Sequence, residues 1–192
     1  TGQDLEDEIK NVINVDIWMR QFAIMSLLGI GDTYSQGNPH NLNFYVRPSD
    51  GKVETMPWYW DLLFSKNTRA SLWGGRNFAK IPARPIYGRI FHGHLVDIIE
   101  STFNTEYLNY WLSHYGSVAR ESYNGLSNNI RSRADYVMSR IPNQIPFTIS
   151  SRLGNNLTVN GSTADIAGSG WVDVSKVYIA VSNTHLTLTT KA

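Results

Sequence analysis

The pattern of apolar and polar positions divides the chain into a helical front, a hairpin, a helical middle and a strand-rich end. Val15, Trp18, Phe22, Met25 and Leu28 recur at spacings of three and four, which predicts one apolar stripe on an α-helix. Asn14 or Asp16 can cap its start, and Gly29 with Gly31 supply its stop. Ahead of it, residues 4–10 are acidic and polar and predict no element. The helix therefore delivers Asp32 onto a tight turn at the end of a buried segment.

Thr33 to Pro39 reads as a polar loop. Asn43 to Arg47 and Val53 to Trp58 read as two strands around the turn Pro48-Ser49-Asp50-Gly51, where Gly51 can take the left-handed backbone that a hairpin needs. That hairpin is expected to return the segment from Trp58 to Asp61 towards His40 and Asn41. Ser65 to Arg84, with Gly74, Gly75, Pro82 and Pro85 in or beside it, reads as a loop. Helical patterning resumes from Ile86 to Phe103. A second helix starts after Asn104 and is expected to bury Leu108, Trp111, Leu112 and Tyr115. A third carries Ile130, Ala134, Val137, Met138 and Ile141 on one face, with Arg131, Arg133, Asp135 and Arg140 pointing elsewhere, and Pro142 ends it.

After the short linker Pro142 to Pro146 the composition changes. Phe147 to Ser150, Leu157 to Val159, Trp171 to Val181 and Leu186 to Thr189 read as strands among Gly, Ser, Thr and Asn. The expected fold class is α+β. A mostly helical domain with one hairpin, residues 1–142, precedes the start of a small all-β, Ig-like module at residues 146–192.

Composition narrows the classes. The hydrophobic share of 42% in 192 residues is enough for a core. Lys and Arg number 17 against 16 Asp and Glu, a balance that asks for neither nucleic acid nor an anionic membrane as partner. With no cysteine there are no disulfides and no thiolate chemistry. No apolar run reaches spanning length, and the opening TGQDLEDEIK reads as the middle of a longer protein.

The polar residues of chemical interest are Asp32, His40, Asn41 and Asp61. Carboxylate and amide oxygens suit Mg²⁺, and a second carboxylate can position or deprotonate a nucleophile. On spacing alone, the alternative that Asp and Asn are bonding their own turn backbones stays open. His92 and His94 lack an identifiable third metal ligand, and neither a G-x-S-x-G elbow nor a P-loop is present. Trp18 and Trp111 fall on helix stripes and read as core, whereas Trp58, Trp60 and Trp73 stay ambiguous between core and ligand stacking.

The run GDTYSQGNPHN, the hairpin FYVRPSDGKV, the segment PWYWD and the helical stretches over 81–115 and 130–141 together resemble the CotH family of spore-coat-related atypical kinases. The likeness covers most of residues 12–142. It implies a kinase-like C-terminal lobe, ATP with Mg²⁺ or Mn²⁺, and protein hydroxyls as substrates. By the same resemblance Asp32 and His40 are catalytic, Asn41 and Asp61 hold the metal, and Trp58 contacts the nucleotide. It also implies an extracytoplasmic bacterial protein, secreted or at the surface, and an N-terminal lobe upstream of Thr1 without which the chain is expected to be inactive. One position departs from the pattern. Tyr59 stands where the family carries an acid after Pro-Trp, and a tyrosine is no carboxylate ligand at neutral pH. An inactive pseudokinase serving as a surface or coat scaffold is therefore the alternative, and the β module is a candidate carbohydrate or surface contact through Trp171.

Overall fold

The structure is a computed structural model that describes residues 2–36, 38, 40–74, 76–151, 166–174 and 176–177. The chain divides into two compact units, residues 1–141 and 142–192. The described residues are mostly helical, with two small two-stranded sheets.

In the first unit, α1 (Gly2–Val12) and α2 (Val15–Leu27) lead into a 3-10 turn at Tyr34–Gln36 and the hairpin β1 (Asn43–Val46) and β2 (Val53–Met56). A short α3 (Arg76–Ala79) precedes α4 (Pro85–Ser101), α5 (Thr105–Ala119) and α6 (Leu126–Met138). The α2 stripe forms as its spacing predicts: Asn14 accepts from the Ile17 N–H, and Trp18, Phe22 and Met25 are buried. Phe22 packs against Phe78, and Phe78 against Phe91 of α4, so the core lies between α2 and α4. Pro85 opens α4 at a position where its missing N–H costs nothing.

α1 was not predicted because only Leu5 and Ile9 give it an apolar side, and both are half-buried. Tertiary contact supplies what the stripe lacks: the Tyr87 hydroxyl donates to the Glu6 carbonyl at 2.8 Å. α3 likewise interrupts the stretch read as loop. The second strand ends at Met56, not Trp58.

Two expectations about burial are overturned. α5 does not bury its aromatic stripe: Trp111 is 36% exposed and Tyr115 57%, while Leu108 and Leu112 are only half-buried. The rings stack along the helix surface, Trp111 on Tyr115 at 5.9 Å, so helical spacing there reports contact between neighbours and not a core face. Arg133 is the reverse case. Its spacing puts it on the outer side of α6, yet it is 2% exposed.

The Arg133 guanidinium donates to the Ser26 carbonyl from Nε (3.1 Å) and Nη2 (2.8 Å), and from Nη1 to the carbonyls of Thr68 (3.0 Å) and Ala70 (2.7 Å). Nη2 also reaches the Ser26 hydroxyl at 3.2 Å, and the cation lies 5.7 Å from the Tyr136 ring centroid. Among the described residues no carboxylate pairs with it. Burial pulls its pKa below the ordinary value, with Tyr136 opposing, and carbonyl dipoles hold the charge. Ser26 sits at the end of α2, where aligned carbonyls favour a cation.

In the second unit, β3 (Thr148–Ile149) pairs antiparallel with β4 (Gly168–Ser169). Trp171 is buried and its Nε1 donates to the Pro142 carbonyl at 2.6 Å, so it presents no open face for a sugar. Residues 171–174 form a turn closed by the Val174 N–H on the Trp171 carbonyl. The strands expected over 157–159 and 186–189, and the part of Trp171 to Val181 beyond Val177, lie outside the described residues. No described helix is long and apolar enough to cross a membrane.

Replacing Arg133 with Ala should destabilise the first unit by about 3 kcal/mol, because the Thr68 and Ala70 carbonyls lose this donor and the Ser26 carbonyl keeps only the Gly29 N–H. Urea denaturation checks this, and Arg133→Lys, which cannot span all three acceptors, should recover only part of the loss.

His92 gives a pH prediction. It lies in α4, stacked 6.1 Å from Trp73, with Nε2 buried and unpartnered, and burial lowers its pKa from 6.5. The folded state therefore favours the neutral ring, while the unfolded chain takes up a proton near the ordinary value. Stability from this group is full above about pH 6.5 and declines as pH falls through that value towards the lower folded one. Melting temperature should drop between pH 7 and 5, and His92→Phe should flatten that slope.

Candidate active site

The site is built on the way α2 ends. Gly29 takes φ +57°, the Gly29 N–H donates to the Ser26 carbonyl and the Ile30 N–H to the Met25 carbonyl. Those two bonds make a glycine-closed helix end, sealed by the buried pair Met25 and Ile30. The next two residues, Gly31 and Asp32, leave the helix in a direction fixed by the cap.

A second segment then grips that exit. The Phe64 N–H donates to the Leu28 carbonyl (2.7 Å), the Lys66 N–H to the Gly29 carbonyl (3.0 Å), and Ser65 Oγ accepts from the Gly31 N–H (3.0 Å). A Cβ on Gly31 would lie 2.6 Å from Ser65 Oγ, so the close approach requires glycine. Arg133 holds both partners of this junction, the α2 end through Ser26 and the loop after Lys66 through Thr68 and Ala70.

Beyond Asp32 the chain reverses. Thr33 and Ser35 are buried and share a hydroxyl–hydroxyl bond of 2.8 Å; Gln36 and Asn38 N–H groups both donate to the Thr33 carbonyl. The Gly74 N–H donates to the Ser35 carbonyl and ties down the outer side of the turn. The reversal brings Asn38, His40 and Asn41 back onto Asp32.

Four polar side chains meet there. Asn38 Nδ2 donates to Asp32 Oδ1 at 2.8 Å, and His40 Nε2 lies 3.1 Å from the same oxygen. Asn41 Nδ2 donates to Asp32 Oδ2 at 3.2 Å and to the Asp32 carbonyl at 2.8 Å. Asn41 has φ +57°, a left-handed backbone that asparagine tolerates and that turns its side chain back to the acid. Asp32 is one-third exposed and His40 about half, so both can meet a ligand from solvent.

The hairpin is fixed against α2 by Trp18, whose Nε1 donates to the Val53 carbonyl at 2.9 Å and whose ring stacks on Phe44. Its turn is clamped by Arg47, bonded to Asp50 and Glu54, and the Arg47 hydrogen bond lowers the Asp50 pKa to about 2. The register Asn43 to Met56 aims the following segment back towards residue 41, but the ladder ends there. Trp58 is exposed, Tyr59 is exposed with φ +55°, and Trp60 has a buried Nε1 with no partner. The left-handed Tyr59 breaks strand alternation, so position 61 does not inherit the facing of position 59.

Asp61 is exposed and lines a groove of about 680 Å³ with Phe64, Trp111, Tyr115 and Tyr123. The structure thus joins Asn38 and Asn41 to Asp32 by hydrogen bonds and sets His40 at ion-pair distance from it; among the described residues no hydrogen bond from Asp61 or Trp58 reaches this group. No group of three or more His, Asp or Glu side chains that could hold a metal occurs among the described residues. The oxygens left near Asp32 are one carboxylate and the asparagine amides, a set that suits Mg²⁺ taking most of its shell from water and nucleotide phosphates. His92 and His94 diverge: His92 stacks on Trp73, whereas His94 Nε2 meets Asp16 at 2.9 Å.

Sequence reasoning passed over Asn38 and Ser65. Asn38 lies inside the run GNPHN, where a second asparagine three residues before Asn41 was the available signal. Ser65 had none, since its role depends on a contact with the backbone of Gly31.

The pattern of the CotH kinase protein family matches residues 1–145, and the chain belongs to that family. Membership of a kinase family implies ATP as phosphoryl donor. A comparison with curated proteins finds no match.

Gly31→Ala should cost about 1–2 kcal/mol by forcing Ser65 away from the turn. In a Ser65→Ala background the same change should cost markedly less, because the added Cβ then meets a methyl group at 3.7 Å. Additive losses in the two-mutant thermal-melt cycle would show that the contact does not matter.

Proposed function

We propose that the protein transfers the γ-phosphoryl group of ATP to Ser or Thr hydroxyls of a protein substrate. The observation that carries this reading is the carboxylate of Asp32, held by Asn38, His40 and Asn41 on a turn fixed at a helix end, within a chain of a kinase family. Asp32 orients the acceptor hydroxyl and takes its proton as the new O–P bond forms. His40 keeps the carboxylate oriented and, when protonated, adds positive charge beside it. Asn41 points its Nδ2 at Asp32, which leaves Oδ1 as an oxygen donor for Mg²⁺ or Mn²⁺; we assign Asp61 as the second protein ligand and Trp58 as a stacking contact for the nucleotide. The metal supplies charge neutralisation between the β- and γ-phosphates when bound. In this reading residues 1–142 are a kinase-like C-terminal lobe, residues 146–192 begin an Ig-like module that contacts a surface or carbohydrate partner, and the protein works outside the cytoplasm of a bacterium.

A second reading is supported by Tyr59. The residue at the expected acid position is exposed and left-handed, and provides no carboxylate. On that reading the domain is a pseudokinase and serves as a coat or surface scaffold.

Incubation of the full-length protein with labelled ATP and Mg²⁺ separates the two. Phosphoryl transfer to itself or a partner that falls by about a hundredfold or more in Asp32→Ala supports the kinase. Transfer that is unchanged in that variant removes the role of Asp32, and a protein whose melting temperature ignores ATP and Mg²⁺ is the scaffold.

A further inference from the structure

We propose that the Lys66 ammonium meets the γ-phosphoryl group beside Asp32 and offsets its negative charge during transfer. The identity of the anion rests on the kinase reading, while the placement of Lys66 stands on the geometry of the α2 exit. The Lys66 N–H donates to the Gly29 carbonyl at 3.0 Å, so the side chain starts from a fixed point against the helix end. From there its stem lies along bare backbone. Lys66 Cβ is 3.6 Å from where a Cβ on Gly29 would stand, and Lys66 Cε is 3.4 Å from the same point on Gly31. The two glycines thus leave a track for the methylene stem, which advances from the helix end to the residue before Asp32. The ammonium is one bond beyond Cε, within about 10 Å of the Asp32 Cα whichever way that bond turns. An acceptor hydroxyl and a phosphoryl group fill a gap of that order between an acid and a cation.

The charge of Lys66 is also uncommitted. Arg133 is bonded to carbonyls, Arg47 to Asp50 and Glu54, and Arg20 to Asp97. Lys66 is exposed, and no carboxylate among the described residues pairs with it. In the transfer step the acceptor oxygen bonds to the γ-phosphorus as the bond to the β–γ bridging oxygen breaks. The hydroxyl proton passes to Asp32, and ADP leaves with the electron pair. Lys66 keeps its own proton throughout. A compact ammonium suits the equatorial phosphoryl oxygens, which carry much of the negative charge at that moment. A cation at the C-terminal end of α2 also complements the helix dipole, and that is the competing, purely structural role.

Lys66→Met keeps a flexible stem over the glycines and removes the charge. In the full-length protein with Mg²⁺, calorimetric titration should show ATP binding about tenfold weaker in this variant, with ADP binding changed by less than about twofold, because the contact is to the γ-phosphate. Lys66→Arg should recover most of the ATP affinity. Phosphoryl transfer should fall by about tenfold or more in Lys66→Met. Equal weakening of ATP and ADP, or none, overturns the assignment. A lower melting temperature with unchanged ATP affinity likewise overturns it and leaves Lys66 serving only the helix end. Wild-type protein that binds ATP and transfers nothing overturns the kinase reading alone, and the ATP-to-ADP ratio then decides the role of Lys66. Wild-type protein that binds no ATP overturns both.

Discussion

The Arg133 guanidinium is the contact on which the first unit's functional end depends. It enters from α6 and binds the Ser26 carbonyl of α2 and the Thr68 and Ala70 carbonyls at once, two segments far apart in sequence. The Ser26 carbonyl, which the Gly29 N–H also reaches, and the carbonyls of Thr68 and Ala70 are thereby joined through one side chain. A single buried cation with a planar fork of donors satisfies both. The Leu28–Gly31 exit can then pair with Phe64 to Lys66, and Asp32 emerges with a defined direction. Burying a charge without a carboxylate partner is costly, and the density of carbonyl dipoles around Arg133 is what offsets it.

From that junction outward the site uses short-range devices. Gly29 closes the helix, Gly31 lets Ser65 approach, the buried Thr33–Ser35 pair reverses the chain, and a left-handed Asn41 returns its amide to the acid. The resulting carboxylate accepts from the amides of Asn38 and Asn41 and faces His40. Asp61 lines the groove beside the aromatic face of α5. The helical stripe on α5 and the groove beneath it give this face an aromatic character unlike the polar turn at Asp32.

Much of the scaffold was legible in the residues themselves. The α2 stripe and its Asn14 cap, the turn at Gly51 and the Asn104 cap are local signals whose physics needs no partner, whereas α6 stops at Met138, short of the expected break at Pro142. The Asp32, His40 and Asn41 grouping was legible too, because a short loop between a helix end and a hairpin leaves few ways to place them. What was hidden depended on distant contacts. Arg133 reads as a surface residue until Ser26, Thr68 and Ala70 are known to surround it. The α5 stripe reads as core until its rings are seen to pack on each other. α1 is nearly all polar and is held in part by Tyr87. Asn38 looked like ordinary loop polarity, and only the observed geometry separates it from its neighbours.

On the kinase reading, Asp32 lies beside the transferring phosphoryl group. A crystal structure of the full-length protein with a non-hydrolysable ATP analogue and Mg²⁺ tests this most directly. The terminal phosphate is expected beside Asp32, with Asn38 still donating to Oδ1 and Asn41 Oδ1 turned towards the metal. A nucleotide seated away from Asp32 would contradict the kinase reading.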